Sequence, residues 1–193
     1  MGFGLLGVAA VSFAATNVDN LVVTTAQYAA APVDRVRRIT AGQLCGFAVV
    51  LGVSAGGAAA LFEIPTRWIG LLGLVPLVLG LRGLVALVRS PDTPWGSRWP
   101  VAGGFTTAAL VTIGLSADNL AVYIPLFREH TVAAGAVVAA CFTVFDVALC
   151  AGARLAGRHR RTVGFLQRVG SWLSPLVYCV IGVVVLIGAG TIR

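Results

Sequence analysis

Long apolar stretches separated by short polar segments make up almost the whole chain. A membrane-spanning helix needs ~20 predominantly apolar residues, and six stretches reach that length. They are residues 3–28, 39–62, 66–89, 101–127, 132–156 and 169–190. No stretch remains for a soluble domain. The pattern therefore predicts an all-α integral membrane protein with six transmembrane helices, forming a single transmembrane domain over residues 1–193.

A carboxylate followed by Asn and Leu appears in the middle of two of these stretches. Asp19 and Asp118 are 99 residues apart, and the same offset relates Pro76 to Pro175. Because three helices are an odd number, the second half must enter the membrane in the opposite sense to the first. The sequence thus predicts an inverted 3+3 repeat. The two repeats cover about residues 1–90 and about residues 100–193.

The two Asp-Asn segments are poor continuous helix, since several of their side chains compete for backbone hydrogen bonds. A carboxylate buried in a bilayer is costly, and it usually faces a cavity, a partner or an ion. We therefore expect interrupted helices whose freed carbonyls and side chains form one shared cation site. Its expected ligands are Asp19, Asp118, Asn17, Asn20, Ser116 and Asn119. The alternative is two continuous helices with their polar faces packed together.

Composition and charge agree with residence in a membrane. The chain is 58% hydrophobic and 11% charged, with a mean hydropathy of +0.94 and a net charge of +7. Arginines concentrate after the first, third and fifth stretches, which predicts a multi-pass plasma-membrane protein with both termini outside. The first stretch lacks a basic leader and is expected to be a retained helix. The positive charge is then explained by the orientation of the helices in the membrane and by contact with anionic lipid head groups. No nucleic-acid partner is expected.

A third intramembrane acid and several thiols extend the list of candidate ligands. Asp146 and Cys150 are four residues apart and share one side of the fifth helix, so Asp146 is a candidate for the transport path and Cys150 a weaker metal-ligand candidate beside it. Cys45 and Gln43, in the second helix, are weaker metal-ligand candidates. Carboxylates and amides suit calcium, magnesium or manganese, whereas cadmium favours sulfur. Structural disulfides are not expected, because the cysteines lie in apolar helices without paired spacing.

The sequence gives little support to an enzyme. It has no phosphate-binding loop, no nucleophile elbow and no paired-histidine metal motif. No cofactor is expected, since the metal would be the substrate. Without a nucleotide site, transport needs an ion gradient, and protons are the expected coupling ion because metal and proton compete for the same carboxylates.

Several motifs together resemble a known family. They are Asp-Asn-Leu in the first helix, Asp-Asn-Leu-Ala-Val-Tyr-Ile-Pro at 118–125, and Gly-Leu-Val-Pro at 73–76 with Gly80 and Arg82. The chain resembles, over essentially its whole length, the cadmium-resistance (CadD-type) transporters of the lysine-exporter superfamily. The resemblance implies a secondary transporter that exports divalent heavy-metal cations, chiefly cadmium, with zinc as a second candidate. The sequence has no Cys-x-x-Cys motif, although cadmium binding leads one to expect clustered thiolates.

Two questions stay open at the level of sequence. The alternative substrate is an amino acid or another small organic cation, which would need a larger cavity with aromatic or extra polar lining. The motifs Gly42-x-x-x-Gly46 and Gly52-x-x-x-Gly56 allow close helix approach, either within the bundle or across a homodimer.

The arginine pattern predicts which loops share one side of the membrane. Single cysteines placed in segments 32–38 and 158–161 of a cysteine-free background should react with an impermeant thiol reagent only from the cytoplasmic side. Labelling of the two segments from opposite sides would contradict the inverted repeat.

Overall fold

The computed structural model describes residues 3–61, 70–89, 100–116 and 118–188, and within these ranges the chain is helical without any strand. Short 3-10 turns occupy Val33–Arg35 and Gly70–Gly73. We number the α-helices in chain order. They are α1 (Phe3–Thr16), α2 (Val18–Ala30), α3 (Val36–Ala60), α4 (Leu74–Arg89), α5 (Phe105–Leu115), α6 (Asn119–Arg128), α7 (Val132–Gly157) and α8 (Arg160–Gly188).

Three to five of these helical segments can be membrane spans. Three continuous helices are long and apolar enough, and they correspond to α3, α7 and α8. The bent pairs α1–α2 and α5–α6 each qualify if the pair counts as one span. The predicted all-helical membrane fold is confirmed at this level, while six spans remain a prediction. The start of the third predicted span lies outside the described residues, as do Arg67 and Arg98.

Both Asp-Asn segments interrupt a helix, as expected. The axis turns by 57° between α1 and α2, where Asn17 separates the two helices. It turns by 71° between α5 and α6, across Ser116 to Asp118. Interruption at these two places frees backbone groups from the helical ladder and brings short polar side chains to the helix ends. The alternative of two continuous helices is wrong.

One predicted boundary differs from the structure. The sixth apolar stretch begins near residue 169, whereas α8 begins at Arg160. Hydropathy identifies only the part of a helix that lies in the hydrocarbon layer. The helix itself extends as far as its backbone i to i−4 hydrogen bonds continue. The first turns of α8 thus carry arginines beyond the apolar span, on the side where positive charge concentrates.

Apolar side chains cover the outside of the bundle, and polar side chains fill much of its interior. Leu110, Val144 and Val180 are more than 60% exposed, whereas Asp19 and Asp118 are 1% exposed. This distribution is the reverse of that in a soluble domain, where large exposed apolar areas are rare. It fits a bundle surrounded by lipid.

The helices pair in an order that relates the two halves. The broken helix α1–α2 packs on α7, and the broken helix α5–α6 packs on α3. The remaining pair is α4 with α8. The 99-residue offset maps the first of these pairings onto the second and the third onto itself. That is the arrangement an inverted repeat would produce, and the repeat itself remains a prediction.

Glycines set the closest helix contacts. A Cβ atom at Gly46 would lie 2.7 Å from the carbonyl oxygen of Ala109 in α5, and Gly42 contacts Phe105 in the same way. By contrast, no described heavy atom lies within 4 Å of a Cβ placed at Gly52 or Gly56. The first of the two small-residue motifs therefore acts within the bundle, while the second lies on an open face.

A matched pair of glycine substitutions tests this difference. Gly46→Ala should lower the free energy of unfolding by about 1–3 kcal/mol, because its methyl group would overlap the α5 backbone. That loss corresponds to about 2–4 °C in the melting temperature for each kcal/mol. Gly52→Ala, in the same helix, should not lower it. Thermal unfolding of the purified protein in detergent measures both, and equal destabilisation would contradict the α3–α5 contact.

Candidate cation site at the helix breaks

The two helix breaks meet in the interior of the bundle. The Asn20 amide donates to the Ser116 hydroxyl at 3.2 Å, and the Asn119 amide donates to Asn17 Oδ1 at 3.5 Å. Asn20 also donates to Asn17 at 3.0 Å. All four side chains are at most 2% exposed. The structure thus brings together the polar residues that the sequence placed in one site from two distant segments.

Asp19 is held by groups from two helices. Its Oδ1 accepts the backbone N–H of Asn20 at 2.8 Å, and its Oδ2 accepts the hydroxyl of Tyr178 in α8. Tyr178 lies within electrostatic range of both Asp19 and Asp118. The last helix therefore forms part of the wall beside both carboxylates.

Several buried oxygen atoms around the breaks have no hydrogen-bond partner among the described residues. They are both carboxylate oxygens of Asp118, the side-chain carbonyl oxygens of Asn20 and Asn119, and the hydroxyl of Ser174. Leaving a buried polar atom unpaired costs about 1–3 kcal/mol, and more if it is charged. A group of such buried atoms is accounted for by a bound water, ligand or ion.

The charge and donor type of this group favour a divalent cation. When ionised, Asp19 and Asp118 would supply a formal charge of −2, and the amide and hydroxyl oxygens add neutral donors. These are hard oxygen ligands, of the kind that calcium, magnesium and manganese prefer. Among the described residues, no three His, Cys, Asp or Glu side chains come together in a metal-binding group. Amide oxygens would therefore have to complete the coordination of a metal.

Gln43 organises a second polar cluster. Its side-chain oxygen accepts the hydroxyls of Thr24, at 3.2 Å, and of Thr112. Its amide then donates to Asp146 Oδ1 at 3.2 Å, and Asp146 Oδ2 has no partner in the described part of the chain. These four side chains are at most 2% exposed. Asp146 and Gln43 are thus in direct contact. Their hydrogen-bond network does not include the unpaired oxygen atoms at the helix breaks.

The cysteines lie outside the group at the breaks. Cys45 is exposed on the outer face of α3, and Cys141 is partly exposed. Cys150 is buried beside the hydroxyl of Tyr28, and Cys179 contacts Gly80 in the α4–α8 interface. Cys45 thus lies away from the bundle interior, whereas Cys150 stays within electrostatic range of Asp146, with which the sequence grouped it.

A layer of aromatic side chains lies next to the polar residues. The rings of Tyr123 and Phe142 are 4.5 Å apart, and Phe13 contacts Phe47 with ring centroids 5.7 Å apart. The Tyr123 hydroxyl also bonds to Thr16 at 3.1 Å and to Asn17 at 3.0 Å. Tyr123 thus joins the aromatic layer to the first helix break.

A cavity of about 870 Å³ lies elsewhere, between the end of α3 and the α6–α7 connection. Most of its lining is apolar, with Leu51, Phe127 and several alanines, and it also includes Arg128 and His130. None of the candidate ligands lines it. This cavity is therefore separate from the paired carboxylates.

Sequence reasoning missed five polar residues of these clusters. Tyr178 and Ser174 are four residues apart in α8 and share one face, which is the signal that could have found them. Thr24, Thr112 and Tyr123 gave no comparable signal, since hydroxyl side chains in membrane helices often bond only to their own backbone. Thr112 also does so, donating to the carbonyl of Ala108.

A substitution at Gln43 tests the second cluster. Gln43→Leu removes the donor to Asp146 and the acceptor of two threonine hydroxyls, so it should destabilise the protein by about 1–3 kcal/mol for each group left unpaired. The matched control is Val49→Leu on the exposed face of the same helix, where little change is expected. Thermal unfolding measures both. An unchanged melting temperature for Gln43→Leu would contradict the network.

Comparison with known proteins gives a family assignment. No curated protein and no solved structure matches the chain. A protein family described as cadmium resistance transporter matches residues 13–193, a range that contains both helix breaks and both polar clusters. The resemblance noted in the sequence is thereby confirmed for the family, while membership of the lysine-exporter superfamily stays a prediction. The chain belongs to the cadmium resistance transporter family.

Proposed function

We propose that this membrane transporter exports cadmium from the cell, and zinc as a second substrate, in exchange for protons. Family membership supports metal efflux. The observation that carries the proposal is the set of unpaired oxygens beside Asp19 and Asp118 at the two helix breaks. Two buried negative charges with neutral oxygen donors match a dication, which neutralises them in a low-dielectric interior.

Coupling to protons follows from electrical work. Moving a dication outward against an inside-negative potential costs ~4.6 kcal/mol per 100 mV, from ~2.3 per elementary charge. Inward movement of two protons removes this electrical cost. Asp19 and Asp118 are the proposed carriers, because metal binds the ionised carboxylates and protons displace it. Asp146, with Gln43, is proposed to line the path between this site and one membrane face.

The structure gives less support to an organic substrate. The carboxylates are enclosed by packed side chains, with the aromatic layer of Phe13, Phe47, Tyr123 and Phe142 beside them. Among the described residues that line the 870 Å³ cavity, none is acidic and able to bind an organic cation. We therefore keep metal export as the proposed function.

The orientation and assembly are also proposals. The arginine-rich loops lie in the cytoplasm, and both termini lie outside, in a multi-pass plasma-membrane protein in contact with anionic lipid. The open face at Gly52 and Gly56 is the surface we propose for a homodimer, since small residues allow close helix approach in lipid.

Neutralising either carboxylate tests the mechanism. Asp19→Asn and Asp118→Asn keep the side-chain size and remove the charge, so each should reduce cadmium export to less than about a tenth of wild type. Each should also lose metal-driven proton movement. A double mutant should be no worse than either single mutant, as expected for residues that act as one unit. Proteoliposomes that contain a pH dye and a cadmium-sensitive dye measure both fluxes.

Asp34→Asn provides the matched control, because Asp34 is exposed in the 3-10 turn after α2. It should transport normally. Normal export by a well-inserted Asp19 or Asp118 single mutant would refute the site assignment.

A further inference from the structure

We propose that this transporter also carries manganese(II), because the buried side-chain nitrogen and oxygen atoms without a hydrogen bond that the described residues offer near the helix breaks are all oxygens. This inference rests on the proposed metal export and names the class of substrate: a dication that accepts oxygen-only coordination. Nothing in the family description requires it, since cadmium handling by itself leads one to expect sulfur ligands.

Hydrogen bonds fix which atoms face the cation. The amide nitrogen of Asn20 is held by Ser116 and Asn17, and that of Asn119 is held by Asn17. With the nitrogens engaged, both side-chain carbonyl oxygens remain unpaired and buried. Each asparagine therefore presents an oxygen, and not an N–H group, to the interior of the site.

Six oxygens are candidate ligands. Asp118 offers two, Asn20 and Asn119 offer one each, and Ser174, one helical turn before the Tyr178 that bonds Asp19, offers one. Asp19 can supply the sixth, because its Oδ1 accepts the Asn20 N–H, its Oδ2 accepts the Tyr178 hydroxyl, and each oxygen has a further lone pair. Six oxygens with two carboxylates are typical of sites for magnesium, calcium or manganese.

Coordination chemistry selects manganese from these three ions. Magnesium loses its water shell reluctantly and usually keeps several waters, whereas these side chains are at most 1% exposed. Calcium takes six to eight oxygens, so this set would meet only its lower limit. Manganese accepts six oxygens and forms complexes with nitrogen and sulfur more weakly than the later transition metals do.

Sulfur is absent from the ligand set for structural reasons. The Cys150 thiol lies beside Tyr28, one helical turn beyond Asp146, and the Cys179 sulfur contacts Gly80. Cys45 is exposed on the outside of the bundle. Cadmium would therefore bind through the same oxygens as manganese, and the two metals should compete for one site.

The experiment uses the purified full-length protein in proteoliposomes, with cadmium and manganese uptake measured separately and in competition. Manganese should be transported and should inhibit cadmium transport. A variant with all four cysteines replaced by alanine should transport both metals with an unchanged ratio. Asn119→Cys adds one soft ligand to the set and should raise the cadmium-to-manganese transport ratio by about tenfold or more. Asn20→Cys is the second variant if the first inserts poorly.

The outcomes separate the inference from the proposed function. Cadmium transport without manganese transport, or calcium transport in place of manganese, would overturn the inference alone. So would a cysteine-free variant that inserts normally and loses cadmium but retains manganese. No metal transport by the wild-type protein, with or without a pH gradient, would overturn the proposed function itself.

Discussion

The cost of burying two carboxylates inside a lipid-surrounded bundle determines the rest of the arrangement. Asp19 and Asp118 are both 1% exposed, in a chain whose outer surface is largely apolar. An isolated charge in such an environment is strongly unfavourable. The protein places each one at an interrupted helix, among amides and hydroxyls. Several buried oxygen atoms there still lack a hydrogen-bond partner, and a bound dication would coordinate them.

Helix packing follows from this requirement. The two breaks can meet only if α1–α2 and α5–α6 lie side by side in the interior, and small residues make that possible. Gly46 lets α3 approach α5, and Gly170 lets α8 approach Val22 of α2. Tyr178 of α8 can then reach Asp19. Small residues thus let the helix backbones pack closely in the membrane at the places where polar side chains contact one another.

The sequence predicted the helical membrane fold, the interruption at both Asp-Asn segments, and the meeting of Asn17, Asn20, Ser116 and Asn119. Matching polar residues inside apolar stretches are strong local signals, so these features could be read without a structure. The exclusion of Cys45 from the site could not, because it depends on the rotation of α3 about its axis. Tyr178 was missed for a similar reason, since a tyrosine in a membrane helix has many roles and only tertiary packing directs its hydroxyl to Asp19.

Tyr123 connects two parts of the protein that would otherwise be independent. Its hydroxyl binds Thr16 and Asn17 at the first break, in the other half of the chain, and its ring packs on Phe142 of α7. A rearrangement of the polar residues at the first break would therefore also move the aromatic layer of Phe13, Phe47, Tyr123 and Phe142. A bound ion that favours one arrangement of these polar residues would thereby favour one arrangement of the layer.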